Sequence, residues 1–148
     1  MNKIITFEGV DGCGKTTQIN LLSDYLNSCD KQSLIVREPG GTCISERIRE
    51  ILLDEDNSIN SITETLLFLS SRSQLVSEIK KKEMNSSKFI LFDRFIDSTI
   101  AYQGYGRGLD IEKLKSLNGF ATNNLKPDLT FILDIELSES LRRINANS

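Results

Sequence analysis

Gly9-Val10-Asp11-Gly12-Cys13-Gly14-Lys15-Thr16 decides the fold of this chain: it has the form G-x-x-x-x-G-K-[ST]. The apolar stretch Ile4-Ile5-Thr6-Phe7 before it reads as a strand. Thr17-Gln18-Ile19-Asn20-Leu21-Leu22-Ser23-Asp24-Tyr25-Leu26 after it reads as a helix, with residues 19, 22 and 26 (together with 21 and 25) on one face. A loop between a strand and a helix is the setting in which this motif cradles phosphates. Glycines let successive backbone N–H groups turn toward an anion, and the helix adds the positive end of its dipole. Residues Gly9 to Thr17 are therefore the expected cradle for a nucleoside triphosphate. Lys15 is expected to reach the β- and γ-phosphates, and the Thr16 hydroxyl to ligate Mg²⁺.

The remaining strands and helices alternate. Strands are expected at 3–8, 33–36, 88–92 and 129–133, the last two as continuous apolar runs of the kind buried on both faces of a parallel sheet. Helices are expected at about 14–28, 44–53, 62–82, 96–104 and 110–122, with another from 139 onward. Ile44, Ile48, Ile51 and Leu52 share one side of the second helix. Glu38-Pro39-Gly40-Gly41 stops the second strand, and Gly104, Gly106 and Gly108 mark a turn. This order predicts a doubly wound α/β domain, a mostly parallel sheet flanked by helices. Its ligand belongs beyond the carboxyl ends of the strands, where Glu8-Gly9, Arg37-Glu38 and Asp93-Arg94 all fall. Asp93 there can hold Mg²⁺ directly or through water, and Arg94 can clamp a phosphate bidentately.

Composition narrows the chemistry. The 148 residues carry 39% hydrophobic residues and a net charge of −3, which suits one globular domain and gives no basic footprint for a nucleic acid. Lys80-Lys81-Lys82, beside Glu78 and Glu83, reads as a solvated helix end. No apolar run is long enough to span a membrane, and the N-terminus enters a strand at once, so no signal peptide is expected. Cys13, Cys29 and Cys43 are odd in number and widely spaced. They point to reduced thiols and a cytoplasmic location rather than to disulfides or a zinc site. Histidine is absent, so catalysis must come from charge and positioning.

Five blocks together resemble the thymidylate kinase family, at its spacing and across essentially the whole chain. They are Phe7 through Gln18 around the loop; Arg37-Glu38-Pro39-Gly40-Gly41-Thr42; Phe68 with Arg72; Asp93-Arg94-Phe95; and Ala101-Tyr102-Gln103-Gly104. The resemblance implies transfer of a phosphoryl group from ATP to dTMP with Mg²⁺, giving dTDP and ADP. It implies that Phe68 stacks on thymine and that Arg72, four residues on and on the same helical face, hydrogen-bonds a base carbonyl. Tyr102 is placed against the sugar, where it disfavours a ribose 2′-OH; Thr99 and Gln103 lie near the base, and Asp11 near the acceptor 3′-OH. Arg94 takes the dTMP phosphate. Glu38 borders the acceptor, either touching it or ordering the loop, and Arg107 stands on an exposed turn. A homodimer is implied too, with the helix at 62–82 as one candidate seam.

Family members carry a catalytic arginine either within the phosphate loop or on a mobile lid after the last strand seen here. The variable loop positions hold Val10, Asp11, Gly12 and Cys13, so the lid must supply it. Residues 1–148 are accordingly expected to be a single kinase domain lacking the lid and C-terminal helices, with the end at Asn147-Ser148 falling short of them. Arg107, Arg142 and Arg143 are the candidates should the arginine come from within. The rivals are another nucleoside or deoxynucleoside monophosphate kinase, and a nucleotide-binding protein without turnover. A GTPase-type switch would need N-K-x-D and D-x-x-G segments, and Asn123-Asn124-Leu125-Lys126-Pro127-Asp128 does not fit.

Overall fold

In a computed structural model, which describes residues 2–83 and 88–146, the loop that opens the sequence sits at the end of a central strand. That strand, β1 (Lys3–Glu8), pairs with β3 (Phe89–Asp93) on one side and β4 (Leu129–Ile132) on the other, and β2 (Ser33–Arg37) flanks β3. Every pairing is parallel, as the alternation of strands and helices requires. Phe7 and Arg37 both stand opposite Asp93 in register. The carboxyl ends of β1, β2 and β3 are therefore level, and the polar residues that follow them share one edge of the sheet. Asn147 and Ser148, the expected end short of a lid, lie outside the described residues.

Successive side chains along a strand point to opposite faces, and the two cores divide accordingly. Ile4, Val36, Ile90 and Phe92 pack on one face with Leu75, Val76 and Ile79 of α3 (Ser61–Glu83). Ile5, Phe7 and Leu91 pack on the other with Ile19 and Leu26 of α1 (Lys15–Ser28). Helix α2 (Cys43–Leu53) begins at Thr42, whose hydroxyl accepts the Ser45 N–H at 3.1 Å, an N-cap that satisfies an otherwise orphaned donor. Helix α5 (Ile111–Thr122) is capped in the same way by Asp110, and α6 (Leu137–Ala146) closes the described chain. The Lys80 ammonium, expected in solvent, instead donates to Thr122 O at 3.1 Å and tethers the carboxyl end of α5.

Several expectations need correction. Strand β4 is not buried on both faces: it is the edge of the sheet, and Ile132 is 75% exposed. Leu21 and Tyr25 of α1, and Ile44 and Ile51 of α2, are exposed as well. The reason is common to both helices, since a helix buries only the stripe that meets its neighbour. The helix expected at 96–104 is α-helical only over α4 (Ile96–Thr99) and continues as a π-helical segment, Ile100–Gly106, so the expected glycine turn is confined to Arg107 and Gly108. Gly104 lies so close to α5 that a Cβ there would meet Leu114 Cδ1 at 3.3 Å. The Leu109 N–H closes the segment on Gln103 O at 3.2 Å.

Leu75 is almost wholly inaccessible beneath the sheet. Leu75→Ala should destabilise the domain by about 2–5 kcal/mol, read as a lower urea midpoint at unchanged slope; a shift below the lower bound would show that α3 relaxes into the space.

Candidate functional site

The carboxyl edge of the sheet opens into a crevice of about 1150 Å³ lined from the phosphate loop, the end of β2, α3, the end of β3, the π-helical segment and α6. Eight basic side chains and four acidic ones line it, although the whole chain is net −3. A cleft with this local excess focuses positive potential and favours anionic ligands.

At its floor is the loop. Gly9 has φ 145°, and a Cβ there would fall 2.5 Å from Leu133 O, so the turn out of β1 requires glycine. Lys15 is buried, its ammonium donating to the carbonyls of Gly9 at 3.0 Å and Val10 at 2.9 Å. The Thr16 hydroxyl donates to Asp93 Oδ2 at 2.9 Å, which brings together the two residues expected to hold a metal. Asp11 pairs with Arg94 at 2.6 Å and lies 4.0 Å from the Lys15 ammonium, so both cations converge on one exposed carboxylate. Cys13 is buried and lines a second, apolar groove with Leu21, Tyr25 and Phe131; Cys13 and Gly9 contribute no side chain to the crevice.

Arg94 is held from several directions. Its backbone is left-handed, φ 70°, its Nη1 donates to Ser98 Oγ at 3.1 Å, and its guanidinium lies 5.3 Å from the Tyr102 ring centroid. Behind it, buried Glu8 accepts the Phe95 N–H at 2.8 Å and the Ser98 hydroxyl at 2.6 Å. Burial raises the Glu8 carboxyl above the usual carboxylate value, against the hydrogen bond from Ser98.

Arg72, only 2% exposed, forms the back wall. Its Nε donates to Glu38 Oε2 at 2.6 Å, its Nη1 to Thr99 Oγ1 at 2.8 Å and to Asn118 Oδ1, and its Nη2 to Phe95 O at 2.8 Å. Phe68 and Gln103 line the crevice beside it. Glu38 is buried, and its Oε1 has no partner among the described residues. Burial raises its carboxyl above the usual value, Arg72 opposing the shift. Of the residues expected from the sequence, Asp11, Gly12, Gly14, Lys15, Thr16, Thr17, Glu38, Phe68, Arg72, Asp93, Arg94, Thr99, Tyr102 and Gln103 all meet here.

The structure adds Arg49, absent from the sequence reading. It lines the crevice and donates to Pro39 O at 2.8 Å; burial and the neighbouring Arg37 lower its guanidinium below the ordinary value. Nothing local distinguishes Arg49 from other surface arginines of α2; only the packing of that helix turns it inward. Arg142 and Arg143 of α6 also line the crevice. Arg143 Nη1 donates to Gly12 O at 3.2 Å, and Ser140 Oγ to Asp11 O at 2.6 Å, so α6 is fastened onto the phosphate loop.

A family model described as thymidylate kinase matches residues 7–148. The thymidylate kinase of Thermosipho africanus is 52% identical over 140 residues, covering 95% of this chain and 70% of the relative. That of Thermoanaerobacter sp. (strain X514) is 50% identical over 141 residues, with the same coverage. The crystal structure of thymidylate kinase from Ehrlichia chaffeensis superimposes with a TM-score of 0.84 at 40% identity, over 98% of this chain and 83% of that one.

Glu38 supplies a pH test. A carboxyl whose folded value is raised contributes stability that is present below its ordinary value, near pH 4.5, and lost as pH rises through the raised one. Relative to Glu38→Gln, the wild type should therefore lose stability as pH rises above 4.5, measured by urea unfolding at each pH. A constant difference would show the carboxyl ionising at its ordinary value.

Proposed function

The chain belongs to the thymidylate kinase family, enzymes that phosphorylate dTMP to dTDP with ATP, and we propose that the crevice at the sheet's carboxyl edge is where it does so. The observation that carries this assignment is the meeting of the phosphate loop with the end of β3, Thr16 Oγ1 lying 2.9 Å from Asp93 Oδ2. The triphosphate lies along Gly9 to Thr17, bound by loop N–H groups and the start of α1. In this reading Lys15 gives up its carbonyl partners for the β- and γ-phosphates. Thr16 and Asp93 hold Mg²⁺; their hard oxygen donors suit it. Among the described residues no three acidic or thiol groups converge on one point. The ion supplies charge neutralisation to the transferring group.

The acceptor enters from the opposite wall. Phe68 offers a face for the base, Thr99 and Gln103 lie at its edge, and Tyr102 lies against the sugar. The Arg72 Nη1 bond to Thr99 is the one a base carbonyl would replace. Arg94 takes the monophosphate, with Arg49 lining the same crevice, and Asp11 turns from Arg94 toward the sugar. Glu38 acts here by holding Arg72. Transfer then rests on in-line positioning and charge, since a monophosphate oxygen is already anionic and needs no base to deprotonate it.

Two further assignments belong to this proposal. Ile44 and Ile51 of α2 and Ile62 and Leu66 of α3 are each exposed, apolar side chains that a second copy would cover in a homodimer. The unpaired thiols Cys13, Cys29 and Cys43 suit the cytoplasm. Among the described residues, no helix is long and apolar enough to cross a membrane.

Initial rates of ADP formation against dTMP, dUMP, dCMP and AMP with Mg²⁺ test the reading: dTMP should give the highest kcat/KM and chelation should abolish the rate, whereas preference for AMP or dCMP would sink it. Lys15→Ala should lower kcat on the order of 10³-fold with little change in unfolding midpoint. A folded variant with wild-type kcat would refute the role of the loop.

A further inference from the structure

One carboxylate in the crevice has no part in the reaction so far. Glu64, in the first turn of α3, precedes Phe68 and Arg72 at helical spacing. Its Oε2 accepts from Gln103 Nε2 at 3.3 Å and from Arg107 Nε at 3.2 Å, and its Oε1 accepts from Arg107 Nη2 at 3.1 Å. It thus bridges α3 to the π-helical segment, across the wall where the base is placed. Gln103 is itself buried.

We propose that Glu64 is the positioning residue that fixes the Gln103 amide, so that its carbonyl oxygen faces the acceptor base, and that it thereby sets the choice between pyrimidines. Donor and acceptor matching decides which way the amide points. A glutamine amide is nearly symmetric in shape, and only its partners decide which end is nitrogen. An ionised carboxylate accepts and never donates. Flipping Gln103 would set its oxygen against the Glu64 oxygens, in a buried site where an unmatched polar contact is costly. With Nε2 committed to Glu64, Oε1 is the atom left for the crevice. A fixed acceptor there favours a base edge carrying a ring N–H, as in thymine or uracil, over cytosine, whose ring nitrogen at that edge is itself an acceptor. Arg107 donates to both oxygens of Glu64 and keeps the carboxylate in place.

The proposal rests on the assignment of Gln103 to the base, and the test separates the two. Binding of dTMP and dCMP is measured by titration calorimetry for wild type, Glu64→Gln, Gln103→Leu and Arg107→Met. A glutamine at 64 can pair with Gln103 in either orientation, so the dTMP-to-dCMP affinity ratio should fall about fivefold or more, the scale of one hydrogen bond. Gln103→Leu should lower it similarly. Arg107→Met, which keeps the Glu64–Gln103 bond, should leave the ratio near wild type even if both affinities weaken. A merely structural role for Glu64 would weaken both ligands alike and leave the ratio unmoved, which overturns the proposal. An equal fall in Arg107→Met also overturns it, by assigning selectivity to the ion pair. An unchanged ratio in Gln103→Leu removes the base assignment itself, and the proposal with it. Should Glu64→Gln not fold, Glu64→Asp keeps the charge, withdraws the oxygens by one methylene, and is held to the same ratio.

Discussion

The buried guanidinium of Arg72 is the constraint on which the rest of the crevice depends. A cation taken out of water is tolerated only if its donors are matched. The partners that match them come from four places in the chain: Glu38 after β2, Phe95 after β3, Thr99 in α4 and Asn118 in α5. Glu38 and Thr99 are walls of the crevice, so satisfying one side chain fixes these walls relative to each other and to the segments that carry Phe95 and Asn118. Such a network adds little net stability over an apolar core, but it penalises every arrangement in which one wall is displaced. The neighbouring positions on α3, Phe68 and Glu64, inherit that precision, because a helix transmits placement along its face.

The parallel register converts this into chemistry. Because Phe7 and Arg37 both lie opposite Asp93, three strands end together, and the residues after each converge without a dedicated scaffold. The result is a basic cleft in a net acidic protein, with Asp11 as local counter-charge to Lys15 and Arg94. Two cations so close would repel in the absence of phosphate; the carboxylate between them relieves that repulsion. An arriving phosphate takes over the same role with more charge and better-placed acceptors.

What could be read from the sequence was what depends on neighbours in the chain. The loop at 9–16 specifies its own turn through glycine and its own charge through Lys15, and Asp93-Arg94 follows directly from the end of an apolar run. Arg49 was not legible as a crevice residue in the same way, and Arg142 and Arg143 were legible only as candidates, because their direction is set by helix packing against distant segments: α6 is held by Ser140 on Asp11, which is 129 residues away. Arg72 was legible as a site residue but not as a structural centre, since the Asn118 partner lies 46 positions on. The apolar runs of β3 and β4 look alike in sequence. Only the strand order, which puts β3 inside and β4 at the edge, separates their burial.

The end of β3 shows how the fold maintains a conformation that the residue itself disfavours. A left-handed backbone at a non-glycine residue costs about 1–2 kcal/mol, and Arg94 adopts one at φ 70°. Its own N–H is held by Phe7 O at 3.0 Å, and that of Phe95 by Glu8 Oε1 at 2.8 Å. The same carboxyl accepts from Ser98, which in turn accepts from Arg94. Glu8 thus fixes both the backbone that strains Arg94 and the hydroxyl that aims its side chain. Burial, by raising the Glu8 carboxyl, favours its protonated form, yet two donors in fixed directions favour an acceptor on each oxygen. The strain and the desolvation are both local costs, offset by the core packing of Phe92 and Phe95, whose ring centroids lie 4.7 Å apart just beneath. Packing under the sheet therefore holds the phosphate-binding arginine in a direction that its own backbone preference would not choose.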